Sequence, residues 1–165
     1  MIVAILSDTH NHHANWHTAL DICRQREVAH LIHCGDLTQV EMTAVLRGWQ
    51  VTYAFGNVDR HPEGIRQALL NLDPTNQVDY LTRLELQGWN FAVIHGQYED
   101  ILDELAHSGQ FTCVLHGHTH RRRDITRGNT RLICPGALGG VRYETRSFCL
   151  LDLNTGATEF VTLPD

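Results

Sequence analysis

Five short apolar runs in this chain each end in a polar residue able to bind a metal ion, and that repeated ending limits the folds open to it. Ile2–Leu6 runs into Asp8-Thr9-His10, Val28–His33 into Gly35-Asp36, and Val51–Phe55 into Gly56-Asn57. Trp89–Ile94 runs into His95-Gly96, and Phe111–Leu115 into Gly117-His118-Thr119-His120. Short apolar runs bounded by turn residues read as buried strands. In α/β sheets, ligands collect at the carboxyl ends of the strands, so five such endings converge if the strands share a direction. The neighbouring glycines let the backbone turn tightly as it leaves each strand.

Helical signals separate the first three runs. Asn11 can cap a helix through about Arg26, with Trp16, Leu20 and Cys23 on one stripe. Thr38–Arg47 reads as a second helix with Val40, Ala44 and Val45 inward, and Pro62–Leu70 as a third, entered by proline in its first turn. The second half changes character. Asp79–Leu86 and Trp89–Ile94 read as a hairpin across Gln87-Gly88, and Tyr98–His107 as a helix stopped by Gly109. Arg123–Thr126 pairs with Thr130–Cys134, and Ser147–Leu153 with Thr158–Leu163, across glycine-containing turns. The expectation is an α/β protein with mixed sheets and helices on the outer faces. With 165 residues and no linker, repeat or low-complexity stretch, residues 1–165 are expected to form one domain.

Composition narrows the function. A net charge of -6 argues against a dedicated nucleic-acid surface, which needs a basic face, but not against small phosphate esters. Five widely spaced cysteines without a CxxC pair fit reduced, buried thiols. No basic leader precedes Ile2, and no segment approaches a membrane span of about 20 apolar residues, so a cytoplasmic protein is expected. A homo-oligomer is left open.

Twelve histidines carry the chemical signal. Asp8, His10, Asp36, Asn57, His95, His118 and His120 offer seven side chains, too many for one ion that keeps an open water position. The mixture of carboxylate and imidazole favours Mn, Fe, Zn, Ni or Co over Ca or Mg. A bridging carboxylate and hydroxide would hold two ions about 3.5–4 Å apart, the spacing used in two-metal phosphate hydrolysis.

The motifs DTH at 8–10, GD at 35–36, GN at 56–57, HG at 95–96 and GHTH at 117–120 follow one another in an order that resembles calcineurin-like metallophosphoesterases. More narrowly, the chain resembles the short subfamily with the retromer-subunit and bacterial YfcE-type phosphodiesterase architecture. The resemblance covers essentially the whole chain. It implies a four-layer α/β/β/α sandwich of two mixed sheets flanked by helices. It also implies that Asp8, His10 and His120 hold one metal, that Asn57, His95 and His118 hold a second, and that Asp36 bridges them. Asp36, Asn57 and His95 would serve catalysis directly, with manganese the expected ion and a metal-bridging hydroxide attacking phosphorus in a small phosphate-ester substrate. The third motif reads Gly56-Asn57-Val58-Asp59 and lacks the histidine that follows Asn in many larger relatives, which points to diesters over monoesters. Retromer-type relatives use the fold as an interaction scaffold and typically lose metal ligands. Retention of all seven here favours an enzyme.

The other candidates have plainer readings. His13 and His17 are an i, i+4 pair on a solvated helix face, His30, His33 and His107 are structural, and His116 points away from the site by strand alternation. Cys34 reads as a packing thiol, and Arg121-Arg122-Arg123 as a hairpin edge more than as an anion-steering patch. Cys134-Pro135-Gly136-Ala137 resembles the family's Asn-Pro-Gly-Ser loop without its polar ends, and no catalytic role is assigned to it.

Overall fold

The computed structural model describes residues 1–164. Its strands fall into two sheets. In the first, β1 (Ile2–Leu6), β2 (His30–His33), β3 (Val51–Ala54) and the short β4 (Gln77–Asp79) run parallel. β10 (Ser147–Asp152) pairs antiparallel with β1, and β11 (Thr158–Thr162) closes that edge. The second sheet has the order β5 (Leu81–Leu86), β6 (Trp89–Ile94), β7 (Cys113–Leu115), β9 (Thr130–Pro135), β8 (Arg122–Arg127). Within it β6, β7 and β9 are parallel. Both sheets are mixed, as the strand and hairpin signals predict.

Alternation of side chains builds three apolar layers. Val3, Ile5, Ile32 and Ala54 point into the space between the sheets and meet Phe91, Val93, Leu115 and Ile133. Ala4, Leu6, Leu31 and Tyr53 point the other way, onto Trp16 and Leu20 of α1 (His13–Gln25) and Ile65 and Leu69 of α2 (Pro62–Leu72). Ala92, Val114 and Leu132 pack beneath Leu102, Leu105 and Ala106 of α3 (Glu99–His107). Both faces of each sheet are therefore covered, which is why the central strands are continuous apolar runs. No helix among the described residues is long and apolar enough to cross a membrane.

Four local expectations need correction. The α1 N-cap is His12, whose Nδ1 accepts from the Asn15 amide at 3.3 Å, rather than Asn11. Asn11 instead sits in the left-handed region at φ 57°. Val40–Leu46 is a 3-10 helix. Its tighter turn buries Met42, Thr43 and Leu46 and leaves Ala44 exposed, with Val40 and Val45 only half-buried. The run expected as one strand over 79–86 splits at Tyr80 into β4 and β5, one in each sheet. The chain crosses between sheets there.

Between the sheets, at the amino end of β2, the buried His30 ring shares a 2.8 Å hydrogen bond with Thr52 Oγ1. Burial pushes its pKa down from 6.5 to about 4. The unfolded chain takes up this proton first, so the stability His30 contributes is complete above pH 6.5 and is lost as pH falls towards 4. His30→Gln, which keeps a partner for Thr52 and cannot titrate, should flatten that loss by on the order of 3 kcal/mol. Urea unfolding of metal-free protein at pH 7 and pH 4.5 measures it.

Candidate metal centre

The carboxyl ends of β1, β2, β3, β6 and β7 open onto one place. They bring all seven residues singled out above into a single cluster. Asp8 Oδ1 lies 3.2 Å from His120 Nε2 and 3.7 Å from His10 Nε2, and these two nitrogens are 3.3 Å apart. His95 Nε2 lies 3.0 Å from Asn57 Oδ1 and 3.3 Å from His118 Nδ1, which is 3.2 Å from the same Asn57 oxygen. Asp36 joins the two halves. Its Oδ2 is 3.2 Å from His95 Nε2 and 3.6 Å from His10 Nε2.

The protons do not account for these contacts. His95 Nδ1 must donate to the Cys34 carbonyl at 2.8 Å, and His120 Nδ1 to the Val141 carbonyl at 2.6 Å. In the neutral tautomers so fixed, both Nε2 atoms are bare lone pairs, each 3.2 Å from a carboxylate oxygen, His95 from Asp36 Oδ2 and His120 from Asp8 Oδ1. Asp8 is fully buried, and its Oδ1 has no hydrogen-bond partner among the described residues. Without a cation, these two carboxylate contacts are relieved by charge on the histidines. Burial raises the Asp8 pKa, but His10, His120 and His95 outweigh it and hold the carboxyl well below its usual range. Asp8 in turn draws the His120 pKa up. For His95 burial acts downward, and Asp36 and Asp8 reverse it. Ligand atoms about 2.1 Å from a tetrahedral or octahedral ion stand roughly 3.0–3.5 Å from one another, which matches these spacings. The donor set therefore fits divalent metal ions, and Asp8-His10-His120 and Asp8-Asp36-His95 each form a compact group able to hold one.

Backbone strain is concentrated here. Asp8, His10, Asp36, His118 and His120 all have positive φ, between 45° and 67°. Such conformations are uncommon for residues with a Cβ and mark sites where geometry is imposed by function. Gly56 and Gly140 make room around them. A methyl group at Gly56 would run into the Asp36 carboxylate, and one at Gly140 would stand 2.7 Å from His120 Cε1 and 2.8 Å from His10 Nε2.

Residues 1–156 match the family model for the calcineurin-like phosphoesterase superfamily domain. This chain belongs to that superfamily. It is 28% identical over 154 residues to a phosphodiesterase of Methanocaldococcus jannaschii, covering 92% of this chain and 93% of the relative. The solved structure of a novel archaeal phosphodiesterase superposes with a TM-score of 0.94 at 25% identity, over 99% of this chain and 100% of the other. Wild-type Vps29 from Entamoeba histolytica, in complex with zinc, shares the fold at 15% identity with a TM-score of 0.69, over 99% and 98% of the two chains. Membership makes the chain a hydrolase of phosphate esters, and the family implies divalent metal ions.

The remaining candidates fall where their plainer readings put them. His13 and His17 are exposed on α1, outside the cluster. His33 is buried, with its ring stacked on Tyr53 and Nε2 2.9 Å from Thr9 Oγ1. His116 is buried beside Gly96 and Leu102 rather than in the cluster, and burial pushes its pKa down to about 4. All five cysteines are free and buried, and desolvation drives the Cys34 thiol well above its ordinary pKa. Arg122 and Arg123 lie in β8, at the sheet edge.

Asp59 is a functional residue that the sequence motifs did not single out, and its carboxylate organises the loops of the cluster. Oδ2 accepts from the Gly56 amide at 2.8 Å, the Tyr53 hydroxyl at 2.7 Å and the Asp36 amide at 3.3 Å, while Oδ1 accepts from the Thr38 amide at 2.7 Å. Asp59 thus ties the loop carrying Asp36 to the loop carrying Asn57. Its place in Gly56-Asn57-Val58-Asp59 was the available signal. The loop of residues 139–141 was also missed, because only the adjacent pair Gly139-Gly140 marks it. Asp59→Asn replaces two acceptor oxygens with one and should weaken Mn binding by about 10–100-fold, the usual effect of losing a group that orients metal ligands. Calorimetric titration of metal-free protein checks this, with thermal unfolding as the control for folding.

Proposed function

We propose that this chain is a two-metal phosphodiesterase, with one ion held by Asp8, His10 and His120, a second by Asn57, His95 and His118, and Asp36 between them. The convergence of seven acceptor side chains at the ends of five strands carries this reading. Divalent transition ions bound there, manganese foremost, supply Lewis acidity towards a phosphoryl oxygen and acidify water for attack on phosphorus. The chain's own contribution is positional. Asp36 Oδ1 accepts from the Val58 amide at 3.0 Å, leaving Oδ2 turned to both histidine groups. The His95 and His120 rings are locked by their carbonyl partners. Asn57, Val58 and His118 are exposed, so substrate approaches from their side. The reading treats residues 1–165 as a single domain.

The preference for diesters rests on what stands beside Asn57. Val58 is 37% exposed at the mouth and can neither donate a proton nor pair with a second negative charge. Asp59 offers no help, because both its oxygens are occupied and it is buried. A monoester needs more charge compensation and, with a poor leaving group, a proton; a singly charged aryl diester needs neither.

The fold shared with Vps29 supports a second reading, a protein-interaction scaffold. Activity separates the two. Protein stripped by a chelator should lose hydrolysis of an aryl phosphodiester and regain it with Mn, while stripped protein that elemental analysis shows to be metal-free and that keeps full activity would overturn the metal-dependent reading. Val58→His should shift the ratio of kcat/KM for aryl monoester over aryl diester upwards by about 10-fold, less than a well-placed general acid achieves. Steady-state kinetics of both proteins on both substrates decides it.

A further inference from the structure

Beside the candidate metal centre stands an aromatic ring that the fold leaves largely open to solvent. Tyr143 is 58% exposed, and the neighbouring Val141 is 62% exposed. The Arg121 guanidinium lies 4.9 Å from the Tyr143 ring centroid, and the ring of His120 lies 6.2 Å away on the metal-centre side. The loop that presents them is braced throughout. Arg146 donates to the carbonyls of Gly139 and Gly140, the latter at 2.7 Å. Glu144 Oε2 accepts from the Arg122 amide at 2.9 Å and from Arg122 Nε at 3.2 Å. His120 Nδ1 donates to the Val141 carbonyl at 2.6 Å. One short segment therefore both fixes a candidate ligand and holds an exposed aromatic face next to it.

We propose that Tyr143 and Arg121 form a stacking subsite that takes the base of a nucleoside-bearing phosphodiester, while the phosphate lies at the metal centre. The inference rests on the phosphodiesterase reading and names its substrate class. A nucleotide is a ligand in which a planar π-face and an anionic phosphate are separated by one sugar, and this chain offers one surface for each at adjacent positions. Arg121 favours the anion and stacks on π-systems; Tyr143 offers an aromatic face whose stacking tolerates any base. The net charge of -6 disfavours long polyanions, so the ligand is a mononucleotide ester or short oligonucleotide rather than a nucleic-acid duplex.

The test compares two diesters that share a p-nitrophenyl leaving group, methyl p-nitrophenyl phosphate and thymidine 5′-(p-nitrophenyl phosphate), on Mn-loaded protein. In both, water adds to phosphorus and p-nitrophenolate departs, so the ratio of kcat/KM reports the other ester group alone. The thymidine ester should be favoured about 5- to 100-fold, the range expected from stacking one base. Tyr143→Ala should bring the ratio near one, and Tyr143→Phe should keep it. Calorimetry gives a readout independent of turnover: thymidine 5′-monophosphate should bind more tightly than inorganic phosphate to wild type and Tyr143→Phe, by a similar factor, and not to Tyr143→Ala. Equal rates on both diesters, or a preference that survives Tyr143→Ala, overturns the subsite and leaves the phosphodiesterase reading standing. Loaded protein that cleaves neither diester and binds no phosphate overturns that reading, and the subsite with it.

Discussion

Bare acceptors facing acceptors, at the bottom of a protein with a well-packed core, are the constraint on which the rest of this structure depends. His120 Nε2 stands 3.2 Å from the fully buried Asp8 Oδ1, and His95 Nε2 faces two side-chain oxygens. Such an arrangement is costly in an apolar surround unless positive charge sits among the atoms. Hydrogen bonds on the far sides of His95 and His120 remove the option of turning the rings to relieve it. The protein therefore holds a set of metal-binding side chains in readiness, and its folding energy must come from elsewhere. The three apolar layers, with Trp16, Tyr53, Phe55, Phe91 and Phe148 among their fully buried members, are that source.

The same constraint explains the backbone. To aim a side chain inward from the end of a parallel strand, the chain must turn at once, and five of the seven cluster residues do so at positive φ. Strain of this kind persists only where the surroundings over-determine it. Here the surroundings are identifiable: Asp59 clamps the second and third loops together, the Asp8 amide donates to Gly35 O at 3.0 Å, and the His10 amide donates to Asp36 O at 2.9 Å. These hydrogen bonds tie the loops to one another. A change in one should therefore be felt in its neighbours.

Much of this was legible in the sequence because two independent periodicities agree. The apolar runs give the strands, and the residue that follows each run gives its placement at a common edge, so the cluster could be read without knowing the order of strands in a sheet. What escaped has physical causes. The crossing from one sheet to the other at Tyr80 leaves no mark in an apolar pattern that continues through it. The 3-10 helix at Val40–Leu46 turns about 20° further per residue than an α-helix, but seven residues hold too few apolar positions for the sequence to reveal which period they follow. His12 outcompetes Asn11 as a cap because the turn after His10 has already placed Asn11 in a left-handed conformation. Asp59 escaped because sequence shows a carboxylate near a site but not the four donors that hold it.

The two halves of the cluster are not equivalent, and the difference bears on how such a centre would work. Asp8 is wholly enclosed, and the side chains of His10 and His120 are only 22% and 11% exposed. Asn57 and His118 stand at the surface. Burial lowers the His118 pKa, with His95 adding to it. Under the proposed two-metal function, Asp8, His10 and His120 would hold an ion in an enclosed set, while the exposed Asn57 and His118 would leave a second ion within reach of substrate and water. The loop carrying Tyr143 rises from the enclosed side, beside His120, so a substrate spanning both would lie across the centre rather than along its rim.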